Sequence, residues 1–257
     1  MLKYRAGIFI FILAMLTSLM CILVFHLPFW ITAIPCIFYI TYLAYGSATM
    51  SANVFVHSVC RGDASSGSIA ITFDDGPVQG NTEQILAILK EYNIRATFFC
   101  IGSRLALYPE LARKIVDEGH LIGNHSYYHG NLFSLQSTTG IENEIRKTGE
   151  EIVRHTGIRP RWFRPPYGVT NPMIARAIRR TGYRSIGWSV RSFDTVIKDR
   201  DALLDRVTKN IQPGDIVLFH ENGPQTVVVF RSFLSRISAK GLKIASLEDI
   251  IHEKASY

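Results

Sequence analysis

The sequence predicts an α/β protein: a distorted (β/α) barrel of about seven parallel strands, preceded by an N-terminal transmembrane helical hairpin. Three observations carry this expectation. From position 6 to position 60 the chain contains no Asp, Glu, Lys or Arg, so this stretch is not a solvated surface segment. Beyond it, short apolar runs alternate with helix-like stretches of ten or more residues, and such alternation implies a parallel sheet. The first strand runs into Asp-Asp-Gly-Pro instead of the Gly-rich turn of a dinucleotide fold, which favours a barrel over an open doubly wound sheet.

Within the membrane region, residues 1–60, the run 8–25 is strongly apolar and free of charge and has the ~18 to 20 residues needed to cross hydrocarbon as a helix. A second run, 29–45, follows after His26-Leu27-Pro28, where Pro28 ends the first helix. The two candidate spans are therefore about 6–26 and 28–47. Trp30, Tyr39, Tyr42 and Tyr45 suit an interfacial belt. A cleaved signal peptide fits less well, because its apolar region is ~7 to 15 residues long and no second run follows it. The reading is a multi-pass cell-membrane protein. Lys3 and Arg5 favour a cytoplasmic start, and two crossings return the rest of the chain to that side, whereas wall polymers lie outside.

The small, polar stretch 61–68 separates this region from a catalytic domain, 61–257. Strand-like runs follow at 69–73, 96–101, 121–123, 162–163, 183–187, 216–219 and 243–245. Between the first two, Ile85, Ile88 and Leu89 share one helical face, with Lys90 and Glu91 outside it. The formal net charge of +7 is a mild excess without a concentrated Lys/Arg tract, which argues against a nucleic-acid partner and permits a lipid bilayer or an anionic polymer. Cys21, Cys36, Cys60 and Cys100 form no disulfide framework and no Cys-x-x-Cys metal pattern.

The chemistry concentrates at strand ends. Thr72-Phe73-Asp74-Asp75-Gly76-Pro77 closes the first strand. Successive strand residues point to opposite faces, so the two acids cannot serve one site unless the turn re-aims one of them. Gly123-Asn124-His125-Ser126-Tyr127-Tyr128-His129 follows another strand, and one helical turn would put both imidazoles on one side. Two histidines and one carboxylate form a metal site with positions open to water and substrate, and Asp75 is the natural third ligand. The zinc-protease pattern needs Glu after the first His, where Ser126 stands. Arg164-Pro165-Pro166-Tyr167-Gly168, Asp194 and Leu218-Phe219-His220 lie at three further strand ends. Singly, each has a bland reading as an ion-pair partner, a helix cap or a core-edge histidine.

Jointly, these segments resemble the polysaccharide deacetylases of the NodB-homology type, metal-dependent carbohydrate esterases that remove N-acetyl or O-acetyl groups from sugars. The resemblance covers about residues 68–245, with the five motifs in family order. It implies that Asp75, His125 and His129 hold a divalent metal, with zinc as the default and cobalt, manganese, iron or nickel also compatible with such ligands. It further implies Asp74 as general base, His220 as general acid, Arg164 orienting Asp74, and Asp194 holding His220. Tyr167 and Leu218 fall on the substrate and oxyanion side, a backbone N–H near Tyr167 facing the developing charge.

The fourth motif departs from the family's D-x-x-D-W. Here it reads Arg191-Ser192-Phe193-Asp194-Thr195, so the first acid is replaced by Arg191 and the aromatic wall by Thr195. Arg191 is then positioned to answer an anionic group on the substrate. The expectation is a membrane-anchored deacetylase of an N-acetylated glycan in the cell envelope or of its precursor. An amide hydrolase for a non-carbohydrate substrate and an inactive glycan-binding relative are the alternatives.

Overall fold

The computed structural model describes residues 2–257. Its apolar front folds as two long helices, α1 (Leu2–Phe25) and α2 (Ala33–Ala48), joined through a short 3-10 turn at Phe29–Thr32. They run antiparallel: Phe11 stacks on Tyr39 at 4.4 Å, Met15 lies beside Cys36, and the Tyr42 hydroxyl donates to the Lys3 carbonyl at 2.9 Å. α1, and α2 taken together with the 3-10 turn before it (Phe29–Ala48), are each long and apolar enough to cross a bilayer, and most of their large side chains point outward.

The rest alternates strands and helices in the order β1 (Ser58–Val59), β2 (Ser68–Gly76), α3 (Asn81–Glu91), β3 (Thr97–Cys100), α4 (Gly102–Leu107), α5 (Pro109–Asp117), β4 (Leu121–Asn124), α6 (Thr138–Thr156), β5 (Trp162–Phe163), α7 (Pro172–Thr181), β6 (Arg184–Ile186), β7 (Val190–Arg191), α8 (Arg200–Thr208), β8 (Ile216–His220), α9 (Thr226–Ala239), β9 (Lys243–Ile244) and α10 (Leu247–Ile251). The sheet order is β1-β6-β5-β4-β3-β2-β8-β7, with β9 against the start of β2. Every strand pairing is parallel. β1 and β7 are the two edges, so the sheet curls into a barrel that stays open. All seven expected strands are present. β1 and β7, two residues each, extend the edges.

β2 lies inside the sheet between β3 and β8 and sorts its side chains by alternation. Ile69, Ile71 and Phe73 pack outward against the helices with Phe98, Phe219, Phe230 and Phe233, where Phe73 meets Phe98 and Phe230 at 5.2 Å. Burying each such ring stabilises by roughly 1.5–3 kcal/mol. Ala70 faces the other way, into a second cluster with Phe99, Trp162 and Ile186. Thr72 and Asp74 share that inner face.

The helical hairpin is joined to the barrel. Val54, Phe55 and Ala175 of α7 pack with Tyr4, Tyr42 and Leu43. Where α2 ends, Ser47 Oγ donates to the Thr170 carbonyl at 2.7 Å, Thr170 N–H to the Ser47 carbonyl at 3.0 Å, and Thr170 Oγ1 to the Gly46 carbonyl at 3.1 Å.

Candidate metal centre and catalytic residues

Asp74 is held by a buried guanidinium. Arg164, at the end of β5, donates from Nη1 to Asp74 Oδ1 at 2.7 Å and to Thr72 Oγ1 at 2.8 Å, and from Nη2 to the Gly187 carbonyl at 2.8 Å. Its guanidinium also lies 4.1 Å from the centre of the Phe99 ring. Burial lowers the Arg164 pKa, and the adjacent Asp74 charge opposes that shift. The second carboxylate oxygen, Asp74 Oδ2, is left facing His125 Nε2 at 3.7 Å.

Asp75 follows on the strand and by simple alternation would face outward. A register shift between Asp74 and Gly76 prevents that, with Asp75 in the left-handed region at φ 67°. The turn therefore re-aims it. Asp75 Oδ1 ends 3.5 Å from His125 Nε2 and 3.4 Å from His129 Nε2. This oxygen is buried without a hydrogen-bond partner, an arrangement that is costly unless something else satisfies it. Donors around a tetrahedral zinc at ~2.0–2.2 Å lie roughly 3.3 Å apart, so the spacing fits a cation.

Both imidazoles turn a ring nitrogen toward Asp75. His125 Nδ1 is 2.7 Å from the Arg164 carbonyl, and donating there leaves Nε2 with its lone pair toward Asp75. Burial and the neighbouring His125 push His129 down to about 4, so its ring is uncharged at neutral pH. For Asp75, burial alone would raise the pKa, and His125, His129, His220 and Arg104 outweigh it to leave the group below its usual value.

The histidine pair does not come from a helical turn, contrary to the sequence expectation. Residues 125–130 form an irregular loop in which Ser126 (φ 64°) and His129 (φ 50°) are left-handed. The loop is tied from outside: Glu144 Oε2 on α6 accepts from the Tyr127 and Tyr128 N–H groups, both at 3.1 Å. The rings still meet, with centroids 4.8 Å apart.

His220 stands opposite Asp74 in the β2–β8 register. Its Nδ1 is 2.7 Å from Asp194 Oδ1, and its N–H donates to Asp194 Oδ2 at 2.8 Å. Asp194 is fully buried and also accepts from Ser192 Oγ at 2.7 Å and Thr226 Oγ1 at 2.6 Å. Burial by itself would lower the His220 pKa, but the bond and charge of Asp194 raise it above 6.5. Tyr167, left-handed at φ 60°, covers the His129 ring at 4.6 Å and donates its hydroxyl to Asn131 Oδ1 at 2.9 Å. Leu218 is buried in β8 opposite Thr72.

Arg191 lies near the same strand ends, its guanidinium 4.6 Å from the Phe193 ring centre and 5.5 Å from that of Trp188. Its Nε is buried and unpartnered. Burial lowers its pKa, while Asp74 and Asp194 pull the other way. Thr195 is exposed.

Two residues at the site carry no sequence signal. Asn222 donates to Asp75 Oδ2 at 3.2 Å. Glu221, fully buried and pushed up to about 8 by burial, accepts from the Thr82 hydroxyl and occupies the space that a side chain at Gly76 would need.

This arrangement has known counterparts. The polysaccharide deacetylase family model matches residues 61–186. A peptidoglycan-N-acetylglucosamine deacetylase of Bacillus cereus is 34% identical over 192 residues, covering 72% of this chain and 89% of its own length. The chain belongs to the polysaccharide deacetylase family. Among solved structures, the Bc1960 peptidoglycan N-acetylglucosamine deacetylase superposes with a TM-score of 0.71 at 29% identity, covering 78% of this polysaccharide deacetylase and 95% of that chain. The peptidoglycan-N-acetylglucosamine deacetylase PgdA of Listeria monocytogenes is 34% identical over 186 residues, which are 72% of this chain and 39% of the Listeria protein.

Proposed function

We propose that this polysaccharide deacetylase is a membrane-anchored hydrolase that removes N-acetyl groups from aminosugars of a cell-envelope glycan, with Asp75, His125 and His129 holding a divalent ion, zinc by default. The observation that carries the reading is the unpartnered Asp75 Oδ1 between two imidazole nitrogens, beside a free oxygen of Asp74. A base and an acid sit on paired strands, as a hydrolase needs and a binding module does not.

A bound ion would supply a Lewis acid for the acetyl carbonyl and lower the pKa of water at the site. Asp74 Oδ2 takes the proton from water as its oxygen bonds to the acetyl carbon, and Arg164 holds the carboxylate in place through Oδ1. His220, whose protonated form is favoured by the Asp194 carboxylate, passes a proton to the sugar nitrogen as the carbon–nitrogen bond breaks. Acetate and a free amine leave. Tyr167 borders the space above His129, where a backbone N–H can meet the oxyanion; one such donor is typically worth about 3–4 kcal/mol.

The test is acetate release by the full-length protein from N-acetylglucosamine oligomers, before and after chelation and with zinc restored. Metal-controlled release is expected. Asp74→Asn should lower kcat by about 10²- to 10⁴-fold with metal content unchanged. Release that ignores the chelator, or an Asp74→Asn variant with full activity, overturns the assignment. Anchoring is tested by flotation with vesicles in high salt, where a spanning hairpin stays with the lipid.

A further inference from the structure

The joint between hairpin and barrel falls on a catalytic loop. Thr170, which exchanges backbone and side-chain hydrogen bonds with Ser47 and Gly46 at the end of α2, is three residues beyond Tyr167. Three extended residues reach at most ~11 Å, and the Tyr167 ring is 4.6 Å from that of His129. On the other side, Met50, just past α2, lies against Gly187, whose carbonyl accepts from Arg164. The metal ligands are therefore within roughly 15–20 Å of the last turn of a membrane helix, and no flexible linker separates them.

The rim around this joint is apolar and uncovered. Leu132 is 68% exposed and Leu135 79%, with Met173 also open. They belong to one surface, because Asn171, at the start of α7, donates to the Ser134 carbonyl at 2.6 Å and Tyr167 to Asn131. That surface is continuous with the docked end of the hairpin, and its nearest apolar phase is the bilayer the hairpin enters. Exposed leucines beside an interfacial helix end are the composition of a membrane-seated rim. Within the hairpin, a cleft of about 1000 Å³ opens between α1 and α2, lined by Ile10, Ala14, Pro35 and Phe38, with Lys3 at its barrel end donating from Nζ to the Ala52 carbonyl at 2.8 Å; its apolar walls suit a hydrocarbon chain.

Resting on the deacetylase reading above, we infer that the catalytic rim is seated on the bilayer and that the N-acetylated sugar it takes is carried on a membrane lipid. A site fixed at headgroup depth meets the first sugars of a glycolipid and is held back from a polymer far from the surface. A lipid-carried sugar also removes the sidedness conflict, since such a substrate can be presented on either leaflet.

The experiment uses the full-length, zinc-loaded protein in phosphatidylcholine–phosphatidylglycerol vesicles. Acetate release is compared for an N-acetylglucosaminyl polyprenyl phosphate in the same vesicles, for the same lipid with a long polyethylene glycol spacer before the sugar, and for soluble N-acetylglucosamine oligomers. The expected result is a kcat/KM at least 10-fold higher for the short glycolipid than for the spaced one. Leu132→Asp combined with Leu135→Asp should lower the glycolipid rate at least 5-fold while leaving soluble-oligomer turnover unchanged. Equal rates on short and spaced lipids, or an equal loss on both substrate types in the double variant, overturn the lipid-substrate inference and leave the deacetylase reading standing. Absence of acetate from all three substrates, with zinc bound, overturns the deacetylase reading itself and this inference with it.

Discussion

In the proposed mechanism, Asp194 sets the pH at which His220 serves as an acid. It is buried, and its two oxygens hold the His220 ring and backbone. Because the His220 pKa is raised, the protonated acid is present at low pH and is lost as pH rises through that value. Asp194→Asn removes the charge that raises it, so the alkaline limb of the kcat/KM profile should move to lower pH. The same raised pKa contributes stability below about pH 6.5 that fades at higher pH, so the variant's loss in urea midpoint should be larger at pH 6 than at pH 9. At Arg191, reversal to Asp should lower activity on anionic glycans selectively; an equal loss on neutral oligomers would refute a role in charge recognition. The residues named in these tests were legible from motif spacing and resemblance. Glu221 was not, because its partner, the Thr82 hydroxyl, is 139 positions away in the chain. The re-aiming of Asp75 was legible only as a requirement: two adjacent acids needed one distorted backbone position, and φ 67° supplies it.

Elements, more than single side chains, determine how well the site is prepared. The seven expected strands could be read from apolar runs bounded by turns. β1 and β7 could not, since two residues have no period to detect and their pairing to β6 and β8 is long-range. The ligand loop shows why a spacing can be right and its geometry wrong. His-x-x-x-His suggests one helical turn, but α6 presents Glu144 to two consecutive N–H groups and Gln136 Nε2, and the loop takes a left-handed course instead. Glu144→Ala leaves those donors without their acceptor. It should weaken zinc affinity by about 10- to 100-fold, as loss of an outer partner does, measured by competition with a chromophoric chelator. On the next layer, β8 carries Phe219 into the aromatic cluster at 5.2 Å from Phe233 and 5.8 Å from Phe230, one residue before His220. Phe219→Ala should cost roughly 3–5 kcal/mol in denaturant unfolding. The loss should appear in stability before it appears in metal content, because the cluster lies on the helix side of the sheet.

At the scale of the whole molecule, the hairpin and the barrel act as one body, and the decisive contacts join positions more than 120 residues apart. The Ser47–Thr170 exchange is invisible to composition, which reads two apolar spans and a separate domain. Gly46 makes that joint possible. A side-chain carbon added there would meet Val54 at 2.7 Å, and Val54 is buried against Phe55 and Ala175 at the seam. Gly46→Val therefore overpacks the seam, at a cost of about 1–3 kcal/mol. The cost is local, because the barrel core around Phe73 shares no residue with the seam. The expected outcome is opening at the joint: faster proteolytic cleavage near 49–53, with the unfolding midpoint of the barrel little changed. Turnover of soluble oligomers should then persist, since the histidine loop is anchored by Arg164 and Glu144, and His220 by Asp194, all within the barrel. Activity on a bilayer-borne sugar should fall, since the rim would no longer be held at headgroup depth. If cleavage at 49–53 rises while both activities remain at wild-type levels, the joint is a tether and not a positioning device.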